Sequence, residues 1–105
     1  MIRSDLMFQI DMLKEQLAGR YAAEKIVLFG SSVRDCDEVN DIDLLIIKDD
    51  VPYIGAERMR QLYRMMETEL PVDYLVYRPS EIKERLSLGD PFIELIFKEG
   101  IVLHG

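Results

Sequence analysis

The chain begins with apolar residues spaced three or four positions apart, the period of one face of a helix. These residues are Ile2, Leu6, Ile10, Leu13 and Leu17. Gly19 follows them and is typical of the end of a helix. The pattern then changes to KIVLF, residues 25–29, a short β-branched and apolar run that ends at Gly30. This run predicts a buried strand.

Further apolar segments predict two more strands and a short terminal one. DIDLLIIK, residues 41–48, is continuous in apolar residues after Asp43, so we expect it to be covered on both faces. VDYLVY, residues 72–77, reads as the third strand. IVLH, residues 101–104, predicts at most a short terminal strand.

Helical patterns lie between these strands. A second amphipathic helix, ended by Pro71, is predicted by the spacing of Met59, Leu62, Tyr63, Met66 and Leu70. Ser80 is expected to cap a third helix that runs to about residue 88 and stops at Gly89. Asp90-Pro91 is typical of the start of another helix, over about 92–99. Because helices alternate with strands, we expect a compact α/β fold, with residues 1–105 as a single domain.

Charge and composition restrict the classes of function. The chain has 13 Lys and Arg residues against 20 Asp and Glu residues, for a net charge of −7. Non-specific nucleic-acid binding depends on basic side chains that displace counterions, so we expect no generic nucleic-acid partner. No apolar run approaches the ~20 residues of a membrane span, and the first ten residues lack the pattern of a signal peptide. With one cysteine, these features predict a cytoplasmic protein without a membrane partner.

Two carboxylates stand at the start of the second predicted strand. Residues two apart on a strand point to the same face, so Asp41 and Asp43 should project together, with Ile42 opposite. Like charges this close repel one another unless a cation lies between them. Mg²⁺ takes oxygen ligands, and one or two carboxylates with substrate phosphates often hold it. An Asx turn at Asn40-Asp41 is the simpler alternative.

Three other residues fit the same chemistry. Glycine lets the backbone approach a ligand closely, so Gly30 and the N–H groups after it could cradle phosphate, with the Ser31 hydroxyl as a donor. An ordinary turn at the end of the strand is the alternative. Asp73 is a single acid in an apolar strand, where a buried carboxylate would need a partner or a metal. An acid exposed at a strand edge is the alternative.

Together these residues resemble the nucleotidyltransferase superfamily that includes DNA polymerase beta. The resemblance is carried by Gly30-Ser31, nine intervening residues, Asp41-Ile42-Asp43, and Asp73 on a later strand. The short chain is similar to the minimal branch, the MNT domain proteins, and so are the residues KEGIVLHG at its end. The resemblance implies a minimal nucleotidyltransferase fold, in which helices flank a small mixed β-sheet. The chain departs from the common pattern at Asp35, where glycine is usual, and at Asn40, where serine is frequent.

The resemblance also implies roles for these residues. Asp41, Asp43 and Asp73 would bind two Mg²⁺ ions, and Asp73 would help to deprotonate the acceptor hydroxyl. Gly30 and Ser31 would hold the phosphates of a nucleoside triphosphate, ATP. Arg34 would neutralise phosphate charge, although an ion pair with a nearby acid is an equal alternative.

The resemblance also suggests an acceptor, which the residues themselves leave open. At 105 residues, we expect the chain to lack the extra lobes of polymerases and of antibiotic-modifying relatives. It resembles MNT antitoxins, which adenylylate a HEPN-type toxin protein. Two alternatives stay open: an idle antitoxin that neutralises its partner by stoichiometric binding, and a transferase for a small hydroxylated molecule. Homo-oligomers and hetero-oligomers both remain open as well.

Overall fold

The structure is a computed structural model that describes residues 4–30, 33 and 41–105. Within these residues the elements follow in the order α1 (Ser4–Ala18), β1 (Lys25–Phe29), β2 (Ile42–Ile47), α2 (Gly55–Met65), β3 (Val72–Tyr77), α3 (Pro79–Ser87), α4 (Pro91–Glu99) and β4 (Ile101–His104). In the same part of the chain, no helix is long and apolar enough to cross a membrane.

The four strands form one mixed sheet in the order β3-β2-β1-β4. Strand β1 runs antiparallel to both of its neighbours, β2 and β4, and β2 runs parallel to β3. The sheet with its flanking helices confirms the expected α/β fold. Its strand order leaves β3 and β4 as the two edges.

Two apolar clusters lie on opposite faces of the sheet. On one face, the buried stripe of α1 packs with alternate strand residues that include Leu28, Leu44 and Tyr74. On the other face, α3 and α4 supply Ile82, Ile93 and Ile96, which pack on Val27, Leu45 and Ile47. Each such side chain stabilises the fold by about 1.5–3 kcal/mol when fully buried. Strand β2 is covered on both faces, as its continuous apolar run predicts.

Helix α2 ends earlier than the apolar spacing predicts. It stops at Met65, and Met66 has an extended backbone with ψ of 142°. The side chain of Gln16 pairs with both backbone groups of Glu67, at 3.4 Å each, and so holds this segment outside the helix. Met66 still reaches the core from its extended position, whereas Tyr63 is 51% exposed. The predicted stop at Pro71 was therefore wrong.

The starts of the last two helices differ in how well the sequence predicted them. Arg78, not Ser80, is the N-cap of α3, because Pro79 has the fixed φ that suits a first helical position. The Arg78 N–H also donates to Glu81 Oε1, at 2.7 Å. The Asp90 cap of α4 is confirmed, since its carboxylate accepts hydrogen bonds from the N–H groups of Phe92 and Ile93.

Arg58 is a buried cation that the sequence pattern did not indicate. It lies one turn before Leu62 in α2 and is 3% exposed. Its guanidinium pairs with both carboxylate oxygens of Glu81, at 2.7 and 3.2 Å, and donates to the carbonyl oxygens of Pro52 and Val76, at 2.6 and 3.0 Å. Arg58 therefore joins α2, β3 and α3.

Candidate active site

The carboxylates of Asp43 and Asp73 lie side by side at one end of the sheet. They are directly paired residues of the parallel strands β2 and β3. On the other side of Asp43, its antiparallel partner is Phe29, the last residue of β1. Paired residues share a face of the sheet, so Phe29, Asp43 and Asp73 form one row across three strands. The row lies on the face covered farther along by α3 and α4.

Asp41 lies next to this row. It precedes β2 directly and is exposed, whereas Ile42 is fully buried. The predicted strand began at Asp41, but the observed strand begins at Ile42. Asp41 is exposed, Ile42 is buried and Asp43 is half-buried. This agrees with the prediction that the two aspartates project to one face of the strand and Ile42 to the other.

The electrostatics of Asp43 show how closely the three acids interact. Burial raises the pKa of Asp43, and so do the negative charge of Asp73, a hydrogen bond with the Asp73 side chain, and the charge of Asp41. Each of these causes disfavours the ionised carboxylate. A cation among these oxygens would relieve the repulsion, so the site favours positive charge.

Gly30 lies directly against this acidic group. Its φ is +75°, in the left-handed region that favours glycine. A Cβ built on Gly30 would overlap the Asp43 carboxylate and would lie 3.2 Å from its Cγ. Glycine is therefore favoured here for two reasons, the backbone conformation and the close approach of Asp43.

The remaining predicted site residues have different outcomes. Ser31 and Arg34 lie outside the described residues. Asp73 is exposed, so the idea of a buried carboxylate in need of a metal does not apply to it. The alternative interpretation, an acid exposed at a strand edge, agrees with the structure. Because Asp73 is both exposed and paired with Asp43, it is accessible from solvent at the edge of the sheet.

The donor set fits Mg²⁺ in its chemistry. Carboxylate oxygens are the ligands that Mg²⁺ takes, and a protein usually supplies one or two of them beside substrate phosphates and waters. Within residues 4–30, 33 and 41–105, no three Asp, Glu, His or Cys side chains already form a cluster that could hold an ion. The structure thus presents a pair, Asp43 and Asp73, with Asp41 nearby, rather than a complete protein cage.

An aromatic wall borders the site, and sequence reasoning missed it. The ring of Phe29 meets that of Phe92 in α4 edge to face, with centroids 5.9 Å apart. A small cleft beside them is lined by Gly30, Leu95 and other residues of α4. No local pattern indicates this contact, because it depends on how α4 packs over β1.

Comparison with known proteins identifies the family. The sequence model described as "Nucleotidyltransferase domain" matches residues 10–104. No curated protein and no solved structure matches the chain significantly. Because the match covers most of the chain, the protein belongs to the nucleotidyltransferase domain family. Members generally use a nucleoside triphosphate and a divalent metal, and the general activity is nucleotidyl transfer.

Proposed function

We propose that the protein transfers AMP from ATP to a hydroxyl group of a partner protein, a HEPN-type toxin, and acts as its antitoxin. The observation that carries the proposal is the row at the end of the sheet. Asp43 and Asp73 lie side by side across two parallel strands, Asp41 is close by, and Gly30 lies against Asp43. Membership of the nucleotidyltransferase domain family supplies the reaction class.

The reaction assigns a role to each residue. Asp41, Asp43 and Asp73 would hold two Mg²⁺ ions, which supply positive charge to the phosphates and to the attacking oxygen. Gly30, which lies against Asp43, would hold the phosphates together with Ser31, and Arg34 would neutralise their charge. The acceptor oxygen attacks the α-phosphorus and forms a new P–O bond. The bond to the bridging oxygen of the β-phosphate breaks, pyrophosphate leaves, and the hydroxyl proton passes to Asp73.

A macromolecular acceptor fits the open position of Asp73. Asp73 lies on an edge strand and is exposed, so an acceptor can approach it from outside the sheet. A second protein that supplies the hydroxyl would complete the site. The net charge of −7 also favours a protein acceptor over a nucleic acid.

Nucleotide binding is the first test of the proposal. Titration calorimetry with MgATP should show binding by the parent protein and its loss in the double variant Asp41→Asn, Asp43→Asn. Circular dichroism should show that this variant remains folded, since the change removes charge but little volume. Undiminished MgATP binding by the double variant would refute the assignment of the site.

Transfer to the partner is the second test. The protein should be co-expressed with a HEPN-type partner, and the intact mass of the partner should increase by one or more AMP groups. The Asp43→Asn variant should produce no such increase. If it still neutralises the partner fully and no mass increase ever occurs, stoichiometric binding is the correct function. If labelled ATP instead modifies a small molecule in a lysate, the acceptor assignment fails.

A further inference from the structure

The cleft beside the carboxylate row has an exposed apolar surface on its α4 side. Phe92 and Leu95 lie three positions apart in α4, so their side chains are neighbours on the surface of the helix. Both line the cleft, and they are 51% and 39% exposed. Single exposed apolar side chains are normal on a protein surface. Two of them together beside an active site form a surface on which an uncharged part of a ligand can pack.

This apolar surface is continuous with the acidic site. Gly30 lines the cleft and also lies directly against the Asp43 carboxylate. Phe29, which pairs with Asp43 in the sheet, contacts Phe92, and the centroids of the two rings are 5.9 Å apart. A ligand whose charged end is held at the carboxylate row can therefore place its other end against Phe92.

The arrangement of the two rings leaves part of Phe92 open to a ligand. The rings meet edge to face, with an angle of 84° between their planes. Such a contact covers at most one face of either ring, so Phe29 leaves at least one face of Phe92 uncovered. The cleft itself has a volume of about 30 Å³, whereas a cavity that holds benzene has about 150 Å³. A flat ring system would therefore lie over the mouth of the cleft, against Phe92 and Leu95.

We infer that Phe92 binds the nucleobase of the nucleoside triphosphate, which stacks on the exposed face of the ring with Leu95 beside it. The inference rests on the proposed function. A nucleoside triphosphate has its charge at one end and a flat, uncharged ring system at the other. The site has the same order, with carboxylates for the metal ions in the row and an aromatic ring next to them. Every base has a π-face, so stacking on Phe92 favours binding of any nucleotide.

Two ligands separate the base from the phosphates. MgATP carries a base, whereas magnesium tripolyphosphate is a chain of three phosphates without one. In titration calorimetry, Phe92→Ala should bind MgATP about 5- to 150-fold more weakly than the parent, the range for the loss of one base–aromatic stack. Its affinity for magnesium tripolyphosphate should be unchanged. The parent should also bind MgATP more tightly than MgUTP, because the larger purine covers more apolar surface, and Phe92→Ala should reduce this preference.

Three further variants show whether the ring of Phe92 is responsible. Phe92→Tyr keeps an aromatic ring and should bind MgATP as the parent does. Phe92→Leu keeps an apolar side chain without a ring, and its affinity should fall between those of the parent and Phe92→Ala. Phe97→Ala is the matched control, because Phe97 lies in the same helix and is 36% exposed but is not among the described residues that line the cleft. It should bind both ligands as the parent does, and urea unfolding shows that each variant is folded.

The contrary results separate this inference from the proposed function. MgATP binding that depends on Asp43 but is equal in the parent and Phe92→Ala would overturn the inference and leave the proposed function standing. An equal loss of affinity for MgATP and magnesium tripolyphosphate would also overturn it, because Phe92 would then support the phosphate site and not bind the base. So would a Phe92→Leu variant that binds MgATP as tightly as the parent. Absence of MgATP binding by the parent would refute the proposed function, and the inference with it.

Discussion

Replacement of Gly30 by alanine tests whether the close approach to Asp43 matters for the site. The added Cβ would overlap the Asp43 carboxylate, and the backbone at Gly30 has a φ of +75°. Both effects lower stability. Only the contact also moves a side chain that we assign to metal binding, so only the contact should weaken MgATP binding.

The magnitude follows from these two effects. A left-handed conformation costs an alanine about 1–2 kcal/mol. The contact falls on the end of a side chain, so Asp43 can rotate away, at about 0.5–1.5 kcal/mol if it leaves its preferred rotamer. Gly30→Ala should therefore lower the free energy of unfolding by about 1.5–3.5 kcal/mol. Its MgATP affinity should fall by about 10- to 100-fold, the range seen when groups that orient metal ligands are disturbed.

Gly89 provides a matched control for the backbone effect. It has nearly the same φ, +74°, but a Cβ built there meets no atom within 4 Å. Gly89→Ala should therefore cost about 1–2 kcal/mol and leave MgATP binding unchanged. Urea unfolding measures the stability of both variants, and calorimetry measures MgATP binding.

A double-mutant cycle completes the test. In an Asp43→Ala background the overlap is absent, so Gly30→Ala should cost no more than Gly89→Ala. If Gly30→Ala and Gly89→Ala destabilise the parent equally and both retain MgATP binding, the contact between Gly30 and Asp43 has no role in the site.

Three other changes have expected outcomes. Asp43→Asn should raise stability at neutral pH by about 0.2–1 kcal/mol, the scale of facing charged pairs. In the parent, the pKa of Asp43 is raised above 3.8 in the folded state, so the free energy of unfolding should fall as pH rises from 3.8 through that raised pKa. Urea unfolding across this pH range should show no such fall for Asp43→Asn. Arg58→Lys should lower the free energy of unfolding by about 1.5–3 kcal/mol, since lysine cannot pair with both Glu81 oxygens and also reach the carbonyls of Pro52 and Val76; a thermal melt within a few degrees of the parent would contradict this. Tyr74→Phe should stabilise the protein by up to about 1 kcal/mol in urea unfolding, because the buried hydroxyl has no hydrogen-bond partner among the described residues.

Local sequence patterns determined much of the fold. The bounds of β1 and β3, the end of α1 before Gly19 and the Asp90 cap of α4 agree with the structure. These features depend on neighbouring residues, through apolar periodicity and the preferences of glycine, proline and aspartate. The same reasoning selected Asp41 and Asp43 as a pair, because alternation along a strand is a local property.

Tertiary structure decided how the distant parts of the site meet. Asp73 faces Asp43 because β3 pairs with β2 in one particular parallel register, and no local pattern defines a register between residues 30 positions apart. Gly30 meets Asp43 through the antiparallel pairing of β1 with β2. The early end of α2 and the burial of Arg58 depend on contacts with Gln16 and Glu81 in other elements. The exposure of Asp73 follows from the position of β3 at the edge of the sheet. That position depends on which strands pair with one another, and no local pattern defines these pairings.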